Sequence, residues 1–260
     1  MTKPQIALTL TTSDAKVLDA VFDPESAPEA PRITVDPSLP SDPHIRDAQL
    51  LARLREQEIA AVKIIEACPS QDGDAKRETY RKALEILDAV IEEQPMYASA
   101  WNNRAQIRRW MYGDRGTLTT ASIPASEEAL EIRATLVQAL KELDTAIALA
   151  SPASREPAVS PSQKKLLAQA WTQRAAIFWG VAKDLGSSER SVIVVPDEAE
   201  QPTWSKWTRV DFEEEGSRCF FMAGLYGSEV GRAMAVLSNP TAKLCGSIVK
   251  EAMKRERCGS

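Results

Sequence analysis

An internal echo constrains this chain more than any other feature. Residues Ala98-Ser99-Ala100-Trp101-Asn102-Asn103-Arg104-Ala105-Gln106-Ile107 return as Ala168-Gln169-Ala170-Trp171-Thr172-Gln173-Arg174-Ala175-Ala176-Ile177, with six of ten positions identical at an offset of 70. A second echo links Ala83-Leu84-Glu85-Ile86-Leu87-Asp88 to Ala139-Leu140-Lys141-Glu142-Leu143-Asp144, at an offset of 56. Two such pairs in the same order describe stacked helix pairs, each unable to bury its apolar face alone. Helix-pair repeats recur at about 34 residues. The surplus in each offset therefore places insertions near 115–130 and 152–165, and a third pair needs another near 184–206.

Apolar residues recur at helical spacing from Ile45 onward. The spacing predicts helices over 45–67, 74–93, 97–112, 126–150, 162–183, 206–226, 229–238 and 240–256. Pro69, Gln94-Pro95, Gly113-Asp114, Ser151-Pro152, Gly186 and Gly227 supply the stops. Nothing alternates as a strand does; Ser191 to Val195 is strand-like but has no partner, and reads as an extended loop. The fold class is all-α: a superhelix of stacked antiparallel helix pairs. The repeat domain is expected over 45–257. Residues 1–44 carry seven prolines among Thr, Ser and Asp, and are expected to be mostly disordered. One island, Ser13 to Phe22, places Val17, Leu18, Val21 and Phe22 on one face, and predicts a short amphipathic helix over 13–22.

Composition excludes several functions. A net charge of −5 argues against nucleic-acid binding, which needs a basic stripe. Cys68, Cys219, Cys245 and Cys258 stand apart with no CxxC pair, so free thiols in a reducing compartment are expected, with no metal. Ile6 to Leu10 is too short for a signal peptide, and no apolar run reaches membrane length. The expected location is cytoplasmic, with the nucleus as a second compartment. The single His44 lies in the Pro-rich lead and no phosphate-binding glycine motif occurs, so no enzyme, no catalytic residue and no cofactor are expected.

The echoes match the tetratricopeptide pattern: Ala83-x3-Leu87, then Pro95, then Trp101 and Ala105, with Gly216-x3-Phe220 and Ala223 supplying a third pair. Three further stretches, Val17 to Pro24, Ala98 to Arg109 (ASAWNNRAQIRR) and Leu237 to Cys245 (LSNPTAKLC), resemble the tetratricopeptide repeat protein 36 family, in its order and across nearly the whole chain. The insertions and the long lead depart from the compact family pattern. The resemblance implies a right-handed superhelix of three degenerate repeats with a C-terminal capping helix, a heat-shock chaperone-associated adaptor role and a link to tyrosine metabolism.

Such a stack presents the first helix of each pair on a concave groove. Asn102, Asn103, Gln106, Arg109 and Trp110 share one helical face, and their amides suit a peptide backbone. A known use of this fold grips a C-terminal carboxylate with Lys and Asn residues and an Arg. Arg55 here takes the place of the first Lys and Asn103 matches the second Asn, while Ile59, Gln169 and Gln173 occupy the other positions. The expected peptide groove is therefore Arg55, Asn102, Asn103, Gln106, Arg109, Gln169 and Gln173, and chaperone contact would not use an intact carboxylate clamp. Arg104, Arg108 and Arg174 fall on the packing side, where Glu85, Asp88 or Asp144 would neutralise them. Trp101, Trp171 and Trp179 read as core. The alternative to an adaptor groove is a regulatory subunit that contacts its partner through 184–206, where Trp204 and Trp207 flank prolines.

Overall fold

The computed structural model describes residues 33–68, 73–113, 118, 127–152, 158–186 and 202–239. Within these the chain is all-α. Helices α1 (Ala48–Glu66) and α2 (Gly73–Glu93) form the first antiparallel pair. Helices α3 (Ala98–Tyr112) and α4 (Glu127–Ala150) form the second, α5 (Pro161–Leu185) and α6 (Arg209–Leu225) the third, and α7 (Glu229–Ser238) packs on α6. The expected helices at 13–22 and 240–256, and the extended stretch 191–195, lie outside the described residues.

Local chemistry sets the helix starts. Asp47 caps α1 by accepting from the backbone N–H groups of Gln49 and Leu50, which satisfies donors that have no partner in the first turn. Ser160 and Gln163 form a capping box ahead of Pro161 at α5, and Thr208 and Asp211 repeat the device at α6. The Ser160 cap starts α5 inside the span read as the 152–165 insertion. Gly227, at φ 95°, makes the turn into α7. At Gly231 a Cβ would stand 2.7 Å from both Ala223 Cβ and Gly224 N, so only glycine admits the close α6–α7 crossing.

The echoed positions are matched in burial. Ala105 and Ala175 are fully buried, as are Ala83 with Ala139 and Leu87 with Leu143. Each fully buried Leu contributes about 1.5–3 kcal/mol by leaving water. Two smaller clusters, around Leu54 with Val90 and around Leu87 with Ile107, serve the first pair and its neighbour. A larger one, around Leu143, Leu167, Phe178 and Phe212, joins the second and third pairs. Trp101, Trp171 and Trp179 are half-buried, with the latter two packed against the large cluster and Trp101 against the first.

The last part of the lead, residues 33–44, lies within the described residues. Residues 33–44 are seated on the helices, and strands β1 (Thr34–Val35) and β2 (Ala158–Val159) pair in parallel. Asp42 is buried; its Oδ1 accepts from His44 N–H at 2.8 Å and Ile45 N–H at 2.9 Å. His44 Nε2 stands 3.0 Å from the Leu149 carbonyl, and Ile45 enters the first cluster. Isolated Ile33 and Ile45 carry enough apolar surface to dock this stretch despite its prolines.

A polar cleft between the first helices of the three pairs

The first helices of the three pairs, α1, α3 and α5, bring the expected groove residues toward one face, but unequally. Asn102 is only 1% exposed and Gln173 8%. Gln173 Nε2 donates to Asn102 Oδ1 at 2.9 Å, and Arg109 Nη1 donates to Gln173 Oε1 at 3.1 Å. These bonds tie α3 to α5. Tertiary packing thus sets Asn102 and Gln173, expected in the groove, between the two helices. Gln106 is half-buried.

Arg55, Asn103 and Gln169 meet elsewhere. They line a cleft of about 370 Å³ between α1, the first turns of α3 and α5, and the lead. Ser41, Asp42 and Pro43 form its wall from the lead, and Ser99, Ser162 and Lys165 add polar groups. Arg55, Lys165 and Gln169 are exposed. The floor holds Glu58, which is 7% exposed. Tyr97 Oη donates to Glu58 Oε2 at 2.7 Å and Asn103 Nδ2 donates to Oε1 at 2.8 Å. Burial raises the Glu58 carboxyl above its ordinary value, outweighing the hydrogen bonds from Ser99, Tyr97 and Asn103 that pull it down. Burial beside Glu58 likewise holds the Tyr97 phenol far above its ordinary value. Sequence reasoning missed Glu58 because it sits in a charged helix, where a carboxylate usually faces solvent.

The buried arginines do pair with second-helix carboxylates. Arg104 Nη1 donates to Asp88 at 2.7 Å, and its Nε lies 2.8 Å from Glu142 Oε1. Arg108 Nε donates to the same oxygen at 3.0 Å. Arg174 Nε donates to Asp144 at 2.7 Å, and its Nη1 contacts Glu215 and, at 2.9 Å, Cys219 Sγ. Burial outweighs Arg174 and pushes the Cys219 thiol up to about 12, so it stays protonated. Glu85 is replaced as partner by Glu142, which is fully buried.

A second cavity of about 340 Å³ lies beside Trp204, Trp207, Leu140, Asp144 and Arg174. Trp207 packs at 5.5 Å from Phe178 and 5.3 Å from Phe212, ring centre to ring centre. That geometry makes Trp207 an anchor for the chain entering α6 rather than a free hot spot. Among the described residues no cluster of His, Cys, Asp or Glu has a metal-holding arrangement, and no helix is long and apolar enough to cross a membrane.

No family model matches the chain, and no solved structure matches it. Three characterised relatives do. The L-tyrosine degradation gene cluster protein hmgX of Aspergillus fumigatus is 33% identical over 254 residues, covering 95% of this chain and 93% of that protein. Tetratricopeptide repeat protein 36 of Danio rerio is 25% identical over 245 residues, 94% of this chain and 93% of its own. That of Bos taurus is 25% identical over 247 residues, 95% and 96% respectively. Identity spread over nearly the full length, on a stack of helix pairs whose echoed positions are matched in burial, shows that the chain belongs to the family of hmgX and tetratricopeptide repeat protein 36.

Proposed function

We propose that this helical-repeat scaffold is a non-enzymatic adaptor that holds a short segment of a partner protein in the cleft between α1, α3 and α5. The observation that supports this reading is the cleft itself: about 370 Å³ of space rimmed by exposed Arg55, Gln169 and Lys165. Exposed amide and guanidinium groups read peptide backbone and side-chain oxygens with little loss of their own packing. The cleft is at the small end for a ligand site, so it anchors a segment and neighbouring surface supplies the rest. The floor is already satisfied: Glu58 binds Tyr97 and Asn103, so Asn103 supports the cleft more than it reads the ligand. The clamp for acidic chaperone tails remains incomplete, since Ile59 and Gln169 stand where a full clamp has polar and cationic groups.

The printed name of the Aspergillus relative assigns that protein to a tyrosine-degradation gene cluster. We extend this to the present chain as the setting in which its partner is to be sought, with a cytoplasmic location. The test is comparative capture from an extract of cells grown on tyrosine. Partners bound by the parent chain should be lost on the double change Arg55→Ala with Gln169→Ala, both at exposed positions, while Trp204→Ala beside the second cavity should retain them. The opposite pattern would reject the cleft and favour contact through 184–206.

A further inference from the structure

In a linear stack, each helix pair touches only its neighbours. Here the first and third pairs share a tie through residues 33–47. At one end, β1 pairs with β2, which leads directly into the Ser160 cap of α5. Asp36 N–H donates to the Val159 carbonyl at 3.0 Å, Val159 is fully buried, and Ile33 packs on the large core. At the other end Ile45 is buried against Leu51, Leu54 and Val90, just before the Asp47 cap of α1. In the middle, Asp42 accepts from His44 and Ile45 N–H groups, and His44 reaches the Leu149 carbonyl at the end of α4. Three residues of this same stretch, Ser41, Asp42 and Pro43, wall the cleft.

We propose that residues 33–47 are a strap that ties the first helix pair to the third and sets the width of the cleft. The strap touches all three pairs, so its seating fixes the separation of α1 from α5 more tightly than two successive helix joints can. Its polar bonds are few, and each contributes about 0.5–1.5 kcal/mol. It can therefore lift away while the helices stay folded, the behaviour of a low-stability cooperative unit. Asp42 is the central latch: one carboxylate oxygen orders the turn that delivers both His44 and Ile45.

The test uses the full chain with genetically encoded spin labels at Glu56 on α1 and Glu214 on α6, both exposed and outside the cleft. Dipolar spectroscopy reads their separation, and hydrogen exchange reads the Asp36 amide in the same protein. The parent should give one narrow distance and a protected Asp36 amide. Asp42→Ala should broaden the distance and speed exchange at Asp36 by about tenfold, the effect of about 1.4 kcal/mol. Asp42→Asn keeps an acceptor oxygen and should restore both readings. Asp36→Pro attacks the other end by removing the N–H bonded to Val159, and should broaden the same distance and deprotect His44 and Ile45. Unchanged distances in Asp42→Ala and Asp36→Pro, or an unprotected Asp36 amide in the parent, would overturn the proposal.

Discussion

The joint between α2 and α3 and the joint between α4 and α5 are two copies of one device, set in different surroundings. In each, an arginine of the incoming helix reaches back to an aspartate of the preceding one, Arg104 to Asp88 and Arg174 to Asp144, both at 2.7 Å. In each, the same arginine also meets a glutamate of the second helix of its own pair, Glu142 or Glu215. Each lies near the tryptophan ring three residues earlier, 4.7 Å away at Trp101 and 5.8 Å at Trp171. The two sequence echoes are thus the two halves of a single contact. The aspartates belong to one echo and the arginines to the other, which is why both recur together. What differs is the glutamate. Glu142 is sealed from solvent, with a second guanidinium from Arg108 beside it. Glu215 keeps 16% of its side-chain surface exposed and pairs also with Arg218 at 2.6 Å.

That difference orders the expected effects of substitution. Arg104→Ala leaves buried Glu142 with Arg108 and the Gln138 amide as partners, and should cost about 3–5 kcal/mol, as broken buried pairs do. Arg174→Ala leaves Glu215 held by Arg218 and Asp144 largely in water, and should cost about 1–3 kcal/mol. Denaturant unfolding of the two variants compares them directly. Equal costs would mean that burial of the glutamate does not distinguish the joints.

Acid separates the joints by sign. Burial raises the Glu142 carboxyl above its ordinary value, more than Arg108 and Arg104 lower it. Burial also pushes Glu215 up, but hydrogen bonds from Arg218 and Arg174 prevail and hold it below the ordinary value. A lowered carboxyl stabilises the fold above its unfolded value and loses that contribution as pH falls through the folded value. A raised carboxyl does the reverse: its contribution is complete below the unfolded value and is lost as pH rises through the folded one. The penalty of Glu215→Gln should therefore grow from about pH 3 to pH 7, while that of Glu142→Gln should shrink over the same interval. Parallel slopes in a stability titration would remove the contrast.

The smallest difference concerns the indoles. Trp101 Nε1 donates to the Pro95 carbonyl at 2.8 Å, whereas the buried Trp171 Nε1 has no hydrogen-bond partner among the described residues. Trp101→Phe should cost about 1 kcal/mol more than Trp171→Phe, the worth of one net hydrogen bond. Thermal unfolding of the pair would show it.

Helical periodicity, proline stops and the echoes made most of the architecture legible, because each is a local signal repeated along the chain. Asp88 and Asp144 were legible as arginine partners for the same reason. Glu142 was not, since it lies one position before the echoed Leu143 and only the α3–α4 crossing seals it. Asn102 and Gln173 share a face with Gln106 and Gln169, respectively, and helical spacing alone cannot tell a solvated amide from one locked between helices. The strap was hidden for a different reason. Thr34 pairs with Ala158 across the length of two helix pairs, and a two-residue ladder leaves no periodicity to detect.

The central claim, that the echoes mark two copies of one helix joint, is tested most directly by two double-mutant cycles. Arg104→Ala crossed with Glu142→Ala measures one copy, and Arg174→Ala crossed with Glu215→Ala the other. Coupling energies for contacting pairs fall at about 0.5–3 kcal/mol. Both cycles should show favourable coupling, larger at the sealed Arg104–Glu142 pair. Additive costs in either cycle would contradict the claim, because that arginine would then not join its helices through the glutamate.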